Sequence, residues 1–262
     1  MEDHDMKTEQ IAAQLYTLRD FCRTPAEIAK TLKLVRSIGY QSVQVSGMGP
    51  IDPKELRRML DGEGLVCCAT HESPADLFTA PQSVVDKLAI LGCRIAGFPS
   101  PMDEDLASMD TLTAFARRLN STGEFLSKAE ITLVYHNHHR EFRRIEGRLI
   151  LDIIYSETDP SFLQGEIDTY WVQYGGADPV DWCRKLKNRL PIIHLKDYAI
   201  SPSFEPADAE IGYGNLDWPN IITASEESGC EWFAVEQDVS PCDPFESLEM
   251  SFRYIKENLV SG

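Results

Sequence analysis

The chain has 262 residues and a formal net charge of −17, from 42 acidic and 25 basic residues. A strongly acidic surface repels phosphate groups, which argues against nucleic acids and anionic membranes as partners. The polar start MEDHDMKTEQ and the lack of a long apolar run predict a cytoplasmic protein that does not span a membrane.

Short apolar runs typical of β-strands alternate with segments of helical periodicity along the whole chain. In chain order the eight runs are IAAQLYTLR, SVQVSG, LVCCATHES, CRIAGFP, ITLVYHNH, FLQGEIDTYW, PIIHLKD and EWFAVEQD. Eight βα units in about 250 residues match the usual size of a TIM barrel. The sequence therefore predicts an α/β fold, a (β/α)8 TIM barrel in which residues 1–262 form a single domain.

Four of the helices between these runs are predicted to begin in the same way. Each start places a residue with a capping oxygen before a proline at the first helical position. The four starts are Thr24-Pro25, Asp52-Pro53, Asp178-Pro179 and Asp243-Pro244. A glutamate, Glu27, can close a capping box with Thr24. These patterns locate helices and carry no information about chemistry.

The last four predicted strands each carry polar side chains on one face and apolar side chains on the other. Residues two apart in a strand share a face. The polar pairs are His136 with His138, Glu166 with Asp168, His194 with Lys196, and Glu236 with Asp238. Imidazoles and carboxylates from neighbouring strands are the ligands of a divalent cation with mixed nitrogen and oxygen coordination. The pattern therefore predicts a metal site.

One inward residue from each of these strands is predicted to bind a single divalent cation: His136, Asp168, His194 and Glu236. Buried carboxylates are costly unless they are paired or coordinate a metal. An ion pair between Glu236 and Lys196 is the structural alternative. Because His136 and His138 share a face, the sequence leaves open which of them is the ligand from the fifth strand.

Two other inward residues, Lys196 and His71, are predicted to contact the substrate rather than the metal. A protonated lysine cannot bind a cation, and the third strand, which carries His71, is expected to be remote from the ligands. Lys196 could polarise a substrate oxygen. His71 could instead be a core histidine without a functional role.

Glu141 and Glu166 each have two interpretations. Glu141 follows the fifth strand and is predicted to contact a substrate hydroxyl, although pairing with Arg140 or Arg143 in solvent is common for loop charges. Glu166 lies one layer deeper than Asp168. It either orients a ligating histidine or is a solvated acid at the start of its strand.

A long segment without regular periodicity, residues 198–218, separates the seventh strand from the next helix. Connections of this length in a compact domain usually have a function. The segment is therefore predicted to be a lid or a substrate-binding loop at the end of the barrel that carries the site.

Taken as a set, these motifs resemble the xylose isomerase-like TIM barrels of the sugar phosphate isomerase/epimerase family. The resemblance covers nearly the whole chain and rests on AAQLYTLRD, YHNHHREF, EIDTYWVQYGGADPVDW, HLKD, EIGYGNLDW and FAVEQD. It implies a divalent ion, often Mn²⁺, Mg²⁺, Co²⁺ or Zn²⁺, held by residues of strands five to eight. Asp168, His194 and Glu236 match the family's aspartate, histidine and last glutamate.

The chain departs from the family at the fifth strand, where the well-understood epimerases carry a glutamate in a motif of the type ENH. His136 occupies that place here, in the sequence His136-Asn137-His138. A mechanism that uses one glutamate on each side of the substrate carbon therefore cannot be transferred to this protein intact.

The resemblance implies a divalent-metal-dependent isomerase or epimerase that acts on a sugar or keto-sugar by proton transfer through an enediolate. Glu236 is the predicted base, and His138, Glu141 or Lys196 is the predicted partner acid. A metal-dependent lyase or dehydratase acting on a keto-sugar or keto-inositol is the main alternative, because it needs only one base and one acid. A non-catalytic sugar-binding barrel is the alternative from another class. The expected partner is a small-molecule carbohydrate, and the sequence leaves a homo-oligomer open.

Overall fold

Eight parallel strands close into a barrel in the computed structural model, which describes residues 6–240 and 242–260. The strands are β1 (Ile11–Gln14), β2 (Ser42–Val45), β3 (Val66–His71), β4 (Ile95–Phe98), β5 (Thr132–His136), β6 (Gln164–Asp168), β7 (Ile192–Leu195) and β8 (Trp232–Val235). Each strand pairs with the next, and β8 pairs with β1. The predicted (β/α)8 TIM barrel is confirmed. Residues 1–5, 241 and 261–262 of the predicted single domain lie outside the described residues.

Helices surround the barrel, and each strand is followed by at least one of them. After β1, β4 and β5 the chain first enters a 3-10 helix, at Leu15–Phe21, Asp103–Leu106 and His139–Phe142, respectively. The helices are α1 (Pro25–Ile38), α2 (Pro53–Glu63), α3 (Pro74–Thr79), α4 (Pro81–Leu91), α5 (Met109–Ser127), α6 (Ile150–Ser156), α7 (Thr169–Tyr174), α8 (Pro179–Lys185), α9 (Trp218–Glu227) and α10 (Pro244–Asn258). In the described part of the chain, none of them has the length and apolar character needed to cross a membrane.

The four predicted helix starts are confirmed. Asp52, Asp178 and Asp243 each accept a hydrogen bond from a backbone N–H in the first turn of α2, α8 and α10, respectively. Thr24 caps α1, and the carboxylate of Glu27 accepts a hydrogen bond from the backbone N–H of Thr24, which completes the predicted capping box. These caps satisfy backbone donors that a helix start would otherwise leave without partners.

The barrel strands place their alternate side chains in two separate environments. The outward residues, such as Tyr135, Ile193 and Val235, pack in the core between the sheet and the helices. The inward residues form a small apolar layer inside the barrel, which includes Val134, Ile192 and Ala234. The next inward residues after these three are His136, His194 and Glu236. The alternation therefore carries the polar side chains to the carboxyl end of the barrel.

The segment predicted to be irregular, residues 198–218, is partly ordered by an antiparallel ribbon between Asp197–Ile200 and Pro206–Ala209. Asp197 anchors the rest of it. One oxygen, Oδ2, accepts hydrogen bonds from the backbone N of Gly212 at 2.9 Å and from Nε1 of Trp218 at 2.7 Å. These hydrogen bonds join the start of the segment to its end. The buried carboxylate of Asp197 therefore holds the loop beside the end of β7.

Candidate metal centre and active site

The four side chains predicted as metal ligands meet at the carboxyl end of the barrel. Each of the residues His136, Asp168, His194 and Glu236 offers one ligand atom, and these four atoms lie within 4.8 Å of one another. All four residues are buried. Two imidazole nitrogens and two carboxylate oxygens are a donor set that suits a divalent cation.

The ring of His136 is oriented by a backbone carbonyl. Its Nδ1 lies 3.2 Å from the carbonyl oxygen of Pro99, to which it can donate, and its Nε2 lies 3.3 Å from Oδ2 of Asp168. Burial, reinforced by the neighbouring His194 and His71, lowers the pKa of His136 to about 3. The ring is therefore neutral and presents a free Nε2 to the centre, as a metal ligand must.

Asp168 ends β6 and also caps the next helix. Its Oδ1 accepts a hydrogen bond from the backbone N of Trp171 at 2.9 Å, which directs Oδ2 to the centre. The backbone N of Asp168 donates to Oδ1 of Asn137 at 3.1 Å. Burial raises the pKa of Asp168, although the nearby Lys196 opposes this shift. A cation at the centre would favour the ionised carboxylate further.

His194 and Glu236 complete the set from β7 and the end of β8. Nδ1 of His194 lies 2.9 Å from Oε2 of Glu236 and 3.9 Å from Oδ2 of Asp168. Burial alone would raise the pKa of Glu236, but Lys196 and His194 together lower it well below its ordinary value. Glu236 is therefore ionised, which both the ligand and the base roles require.

Lys196 lies directly beside this set. Its Nζ is 3.8 Å from Oδ2 of Asp168 and 3.8 Å from Oε2 of Glu236, and it donates a hydrogen bond to Asp238. Burial alone would lower the pKa of Lys196, but the three carboxylates raise it. The lysine is a fixed positive charge at the site. Asp238 was absent from the predicted site residues, although its alternation with Glu236 could have identified it.

His71 is much closer to the ligands than the sequence predicted. Its ring centre lies 5.2 Å from that of His136 and 5.4 Å from that of His194. The prediction that the third strand is remote was wrong, because an imidazole at the end of β3 reaches across the barrel interior. The contact between His71 and the substrate stays a prediction.

Glu166 is fully buried and is not a solvated acid. Its carboxylate contacts Nε2 of His71 at 2.7 Å and Nε2 of His194 at 3.1 Å. Burial would raise the pKa of Glu166, but the two imidazoles together lower it well below its ordinary value. Of the two interpretations from the sequence, the geometry supports the acceptor that orients a ligating histidine.

A cavity of about 340 Å³ opens above the centre. Its wall includes Tyr16, Ser46, His71, Ser100, His136, His138, Trp171, Lys196, Glu236 and Asp238. Sites for small molecules in proteins have this size and this mixture of aromatic and polar groups. A larger cavity of about 650 Å³ lies near the amino ends of β6 and β7, but it contains none of the predicted site residues.

His138 lies on the cavity wall, with its ring centre 4.8 Å from that of His136 and 5.5 Å from that of Trp171. Its Nδ1 has no hydrogen-bond partner among the described residues. Burial lowers the pKa of His138 to about 2, so the ring is uncharged at neutral pH. It is placed to hydrogen-bond a substrate, but it does not hold the proton that the predicted acid role requires.

Glu141 lies behind β5 rather than at the cavity. The hydroxyl of Tyr135 donates to its Oε1 at 2.8 Å, and the backbone N of His138 lies 3.2 Å from its Oε2. The chain leaves β5 in a 3-10 helix, His139–Phe142, which turns Glu141 towards the outer side of the strand. This buried position does not support the predicted roles as acid, substrate contact or solvent-exposed ion pair. Burial raises the pKa of Glu141 to about 7.

Comparison with known proteins agrees with this architecture. The model of the xylose isomerase-like TIM barrel family matches residues 32–258, so the chain belongs to that family. The resemblance drawn from the sequence motifs is confirmed.

Inosose dehydratases and a sugar phosphate isomerase/epimerase are among the similar proteins. The chain is 27% identical to the inosose dehydratase of Geobacillus thermodenitrificans, in an alignment that covers 84% of this chain and 85% of the relative. It is 29% identical to the inosose dehydratase of Clostridium beijerinckii, with the same coverage of 84% and 85%. A solved structure of a sugar phosphate isomerase/epimerase from Parabacteroides distasonis superposes with a TM-score of 0.82 and 25% identity, covering 98% of this chain and 96% of that one.

Proposed function

We propose that the protein is a metal-dependent lyase that removes water from a keto-sugar or keto-inositol. The observation that carries this proposal is the histidine at the fifth-strand ligand position, where His136 replaces a carboxylate. Glu236 then remains the one carboxylate of the ligand set on the cavity wall. An epimerase of the two-glutamate type needs a carboxylate on each side of the substrate carbon, whereas an elimination needs one.

The residues His136, Asp168, His194 and Glu236 would hold the ion. When bound, a divalent cation would polarise the substrate carbonyl and make the adjacent C–H more acidic. Lys196 adds a positive charge to the cavity wall, where it would stabilise the negative charge that develops on the substrate oxygen as the proton leaves carbon. Trp171 and His138 form the wall of the cavity beside Lys196 and are placed to orient the sugar ring.

In the proposed reaction, Glu236 takes the proton from the carbon next to the carbonyl. The electron pair of that C–H bond forms a carbon–carbon double bond, and the C–O bond of the hydroxyl on the next carbon breaks. The departing hydroxyl receives a hydrogen bond from His138 and leaves as water with the proton that Glu236 has taken. A single carboxylate thus serves as base and then as acid, so that a second one is not needed.

The relatives named inosose dehydratase support a dehydration, and the polar cavity supports a small polyhydroxylated substrate. The test is to incubate Mn²⁺-loaded protein with a keto-inositol and with a 3-keto-hexose and to follow the products by mass spectrometry. We expect a product lighter than the substrate by one water. A product of unchanged mass would contradict the dehydration.

An isomerase or epimerase is the second candidate, favoured by the similarity to the Parabacteroides distasonis protein of that name. Both reactions begin with removal of the same kind of proton by Glu236. In deuterated water an isomerase or epimerase would give a product of the same composition that carries deuterium at the reacting carbon. If no candidate substrate exchanged hydrogen or lost water, the sugar-binding alternative would replace both.

A further inference from the structure

We propose that Glu166 is a positioning residue that fixes the tautomers of two histidines at once. One is His194 in the metal centre, and the other is His71 on the wall of the substrate cavity. Through His71, Glu166 also determines how Ser46 faces a substrate hydroxyl. The statement about the substrate rests on the function proposed above, whereas the statements about the two imidazoles do not.

Glu166 is the acceptor of a small buried network. Its Oε1 accepts from Nε2 of Gln44 at 2.6 Å and lies 3.1 Å from Nε2 of His194, and its Oε2 lies 2.7 Å from Nε2 of His71. An ionised carboxylate can only accept hydrogen bonds. Each of the two imidazoles therefore donates a proton on Nε2 to Glu166.

When a cation occupies the centre, it takes Nδ1 of His194 as an unprotonated ligand, so the single proton of that ring lies on Nε2 beside Glu166. This Nδ1 is the nitrogen that lies 2.9 Å from Oε2 of Glu236 and faces the metal centre. Gln44 strengthens the arrangement, because its Oε1 lies 2.8 Å from Nε2 of His194 while its amide nitrogen donates to Glu166. Gln44 is thus hydrogen-bonded to both Glu166 and His194.

For His71, the same tautomer makes Nδ1 a hydrogen-bond acceptor. Oγ of Ser46 lies 3.2 Å from this nitrogen, so the serine hydroxyl donates to His71. The lone pairs of Ser46 are then available to the cavity, since both residues belong to its wall. This part of the wall would accept a hydrogen bond from a substrate hydroxyl and would disfavour a deoxy or methylated analogue at that position.

Gly97 in β4 provides the space for this network. A Cβ atom at this position would lie 2.5 Å from Cδ2 of His71 and 3.0 Å from Oε2 of Glu166. The first distance is shorter than real Cβ contacts, and the second is shorter than most of them. Gly97 is thus independent evidence that the barrel interior accommodates the contact between His71 and Glu166.

The same side chains have a competing interpretation, because His71, Glu166 and His194 also offer three ligand atoms within 4.8 Å of one another. A second ion there would have to use Nε2 of His194, while Nδ1 of the same ring binds the first ion. It would also displace the hydrogen bond from Nε2 of His194 to Gln44. We therefore infer one ion per chain.

The first test measures Co²⁺ binding by calorimetry and visible absorption in the wild type, in Glu166→Gln and in Glu210→Gln. Glu210 is a buried carboxylate that accepts from Ser247 away from the centre, and it is the matched control. We expect one Co²⁺ per wild-type chain, a ~10–100-fold weaker affinity in Glu166→Gln and an unchanged affinity in the control. Two ions in the wild type, or wild-type affinity in Glu166→Gln, would overturn the proposal.

The second test leaves the hydrogen-bonding side chains of the network unchanged. Long-range proton–nitrogen NMR of the Zn²⁺-loaded wild type should show both His71 and His194 protonated on Nε2. A proton on Nδ1 of His71 would overturn the proposal. Gly97→Ala should disturb the His71 signals, and Gly62→Ala, at a position with no atoms near the added methyl, should not. Neither test measures turnover, so each stands even if the proposed dehydration fails.

Discussion

Nζ of Lys196 donates a hydrogen bond to Oδ2 of Asp238, and this ion pair joins the ends of β7 and β8 at the wall of the cavity. The lysine side chain is fully buried, whereas that of Asp238 is 31% exposed. A buried ammonium is stable only with such a partner. The pair therefore holds a positive charge beside Glu236, the proposed base.

Replacing Lys196 by methionine should leave the metal in place and remove most of the activity. The ammonium is close to the reacting carboxylate but is not a ligand, so its loss removes charge stabilisation and no coordinate bond. We expect proton exchange or turnover to fall by roughly 10²–10³-fold. Elemental analysis of the Mn²⁺-reconstituted variant gives the metal content, and a loss of metal would show that Lys196 supports the centre itself.

Replacing Asp238 by asparagine should have a smaller effect of the same kind. The lysine keeps its charge, the neighbouring Asp168 and Glu236 and an amide oxygen as acceptor, but it loses the negative charge of its hydrogen-bonded partner. We expect kcat to fall by about tenfold, which corresponds to ~1.4 kcal/mol for the weakened hydrogen bond. An effect confined to KM would instead indicate that Asp238 binds the substrate directly.

Glu236 should be indispensable for removal of the α-hydrogen. Glutamine keeps the size of the side chain and one oxygen but cannot take up a proton. With saturating Mn²⁺, Glu236→Gln should slow solvent-deuterium exchange by at least ~10²–10⁴-fold. Exchange at the wild-type rate would place the base elsewhere, with Asp238 the next carboxylate on the cavity wall.

The alternation of side chains was sufficient to predict that inward residues of β5 to β8 meet in the centre, but it did not distinguish His136 from His138. His136, Asp168, His194 and Glu236 each stand at the inward end of a strand, and barrel closure brings such ends together. Alternation did not predict the directions of side chains beyond the end of a strand. Glu141 lies within the 3-10 helix His139–Phe142, which turns it to the outer side of β5, and this helix has no signature in the pattern of apolar residues.

Contacts across the barrel interior were equally hidden from the sequence. His71 and Glu166 are 95 residues apart, and they meet because β4 between their strands carries Gly97 rather than a residue with a side chain. The role of such a glycine depends on the three-dimensional positions of its neighbours. A single sequence therefore gives the inward direction of His71 but not its partner.

Asp168 should be required for metal binding independently of its role as a helix cap. In Asp168→Asn the amide oxygen can still accept from Trp171, so α7 keeps its cap while the centre loses one negative charge. We expect little Mn²⁺ in the reconstituted variant. Asp178→Asn, which alters the cap of α8, is the control and should bind a full equivalent. Equal metal content in the two variants would exclude Asp168 as a ligand.

Glu141 should make the stability of the folded protein depend on pH. Its pKa is raised from 4.5 to about 7, chiefly by burial. Between these values the folded state holds a proton that the unfolded chain releases. The contribution of Glu141 to the free energy of unfolding is therefore full below the unfolded pKa and declines as the pH rises towards the folded pKa.

Glu141→Gln removes this dependence, because the amide does not titrate. Between about pH 5 and about pH 8, the free energy of unfolding of the wild type should decrease relative to that of the variant by on the order of 2 kcal/mol. Urea unfolding of both proteins at the two pH values measures the difference, and all other titrating groups cancel in it. Parallel pH profiles would mean that the Glu141 carboxyl is ionised in the folded protein. The hydrogen bonds from Tyr135 and His138 would then outweigh the effect of its burial.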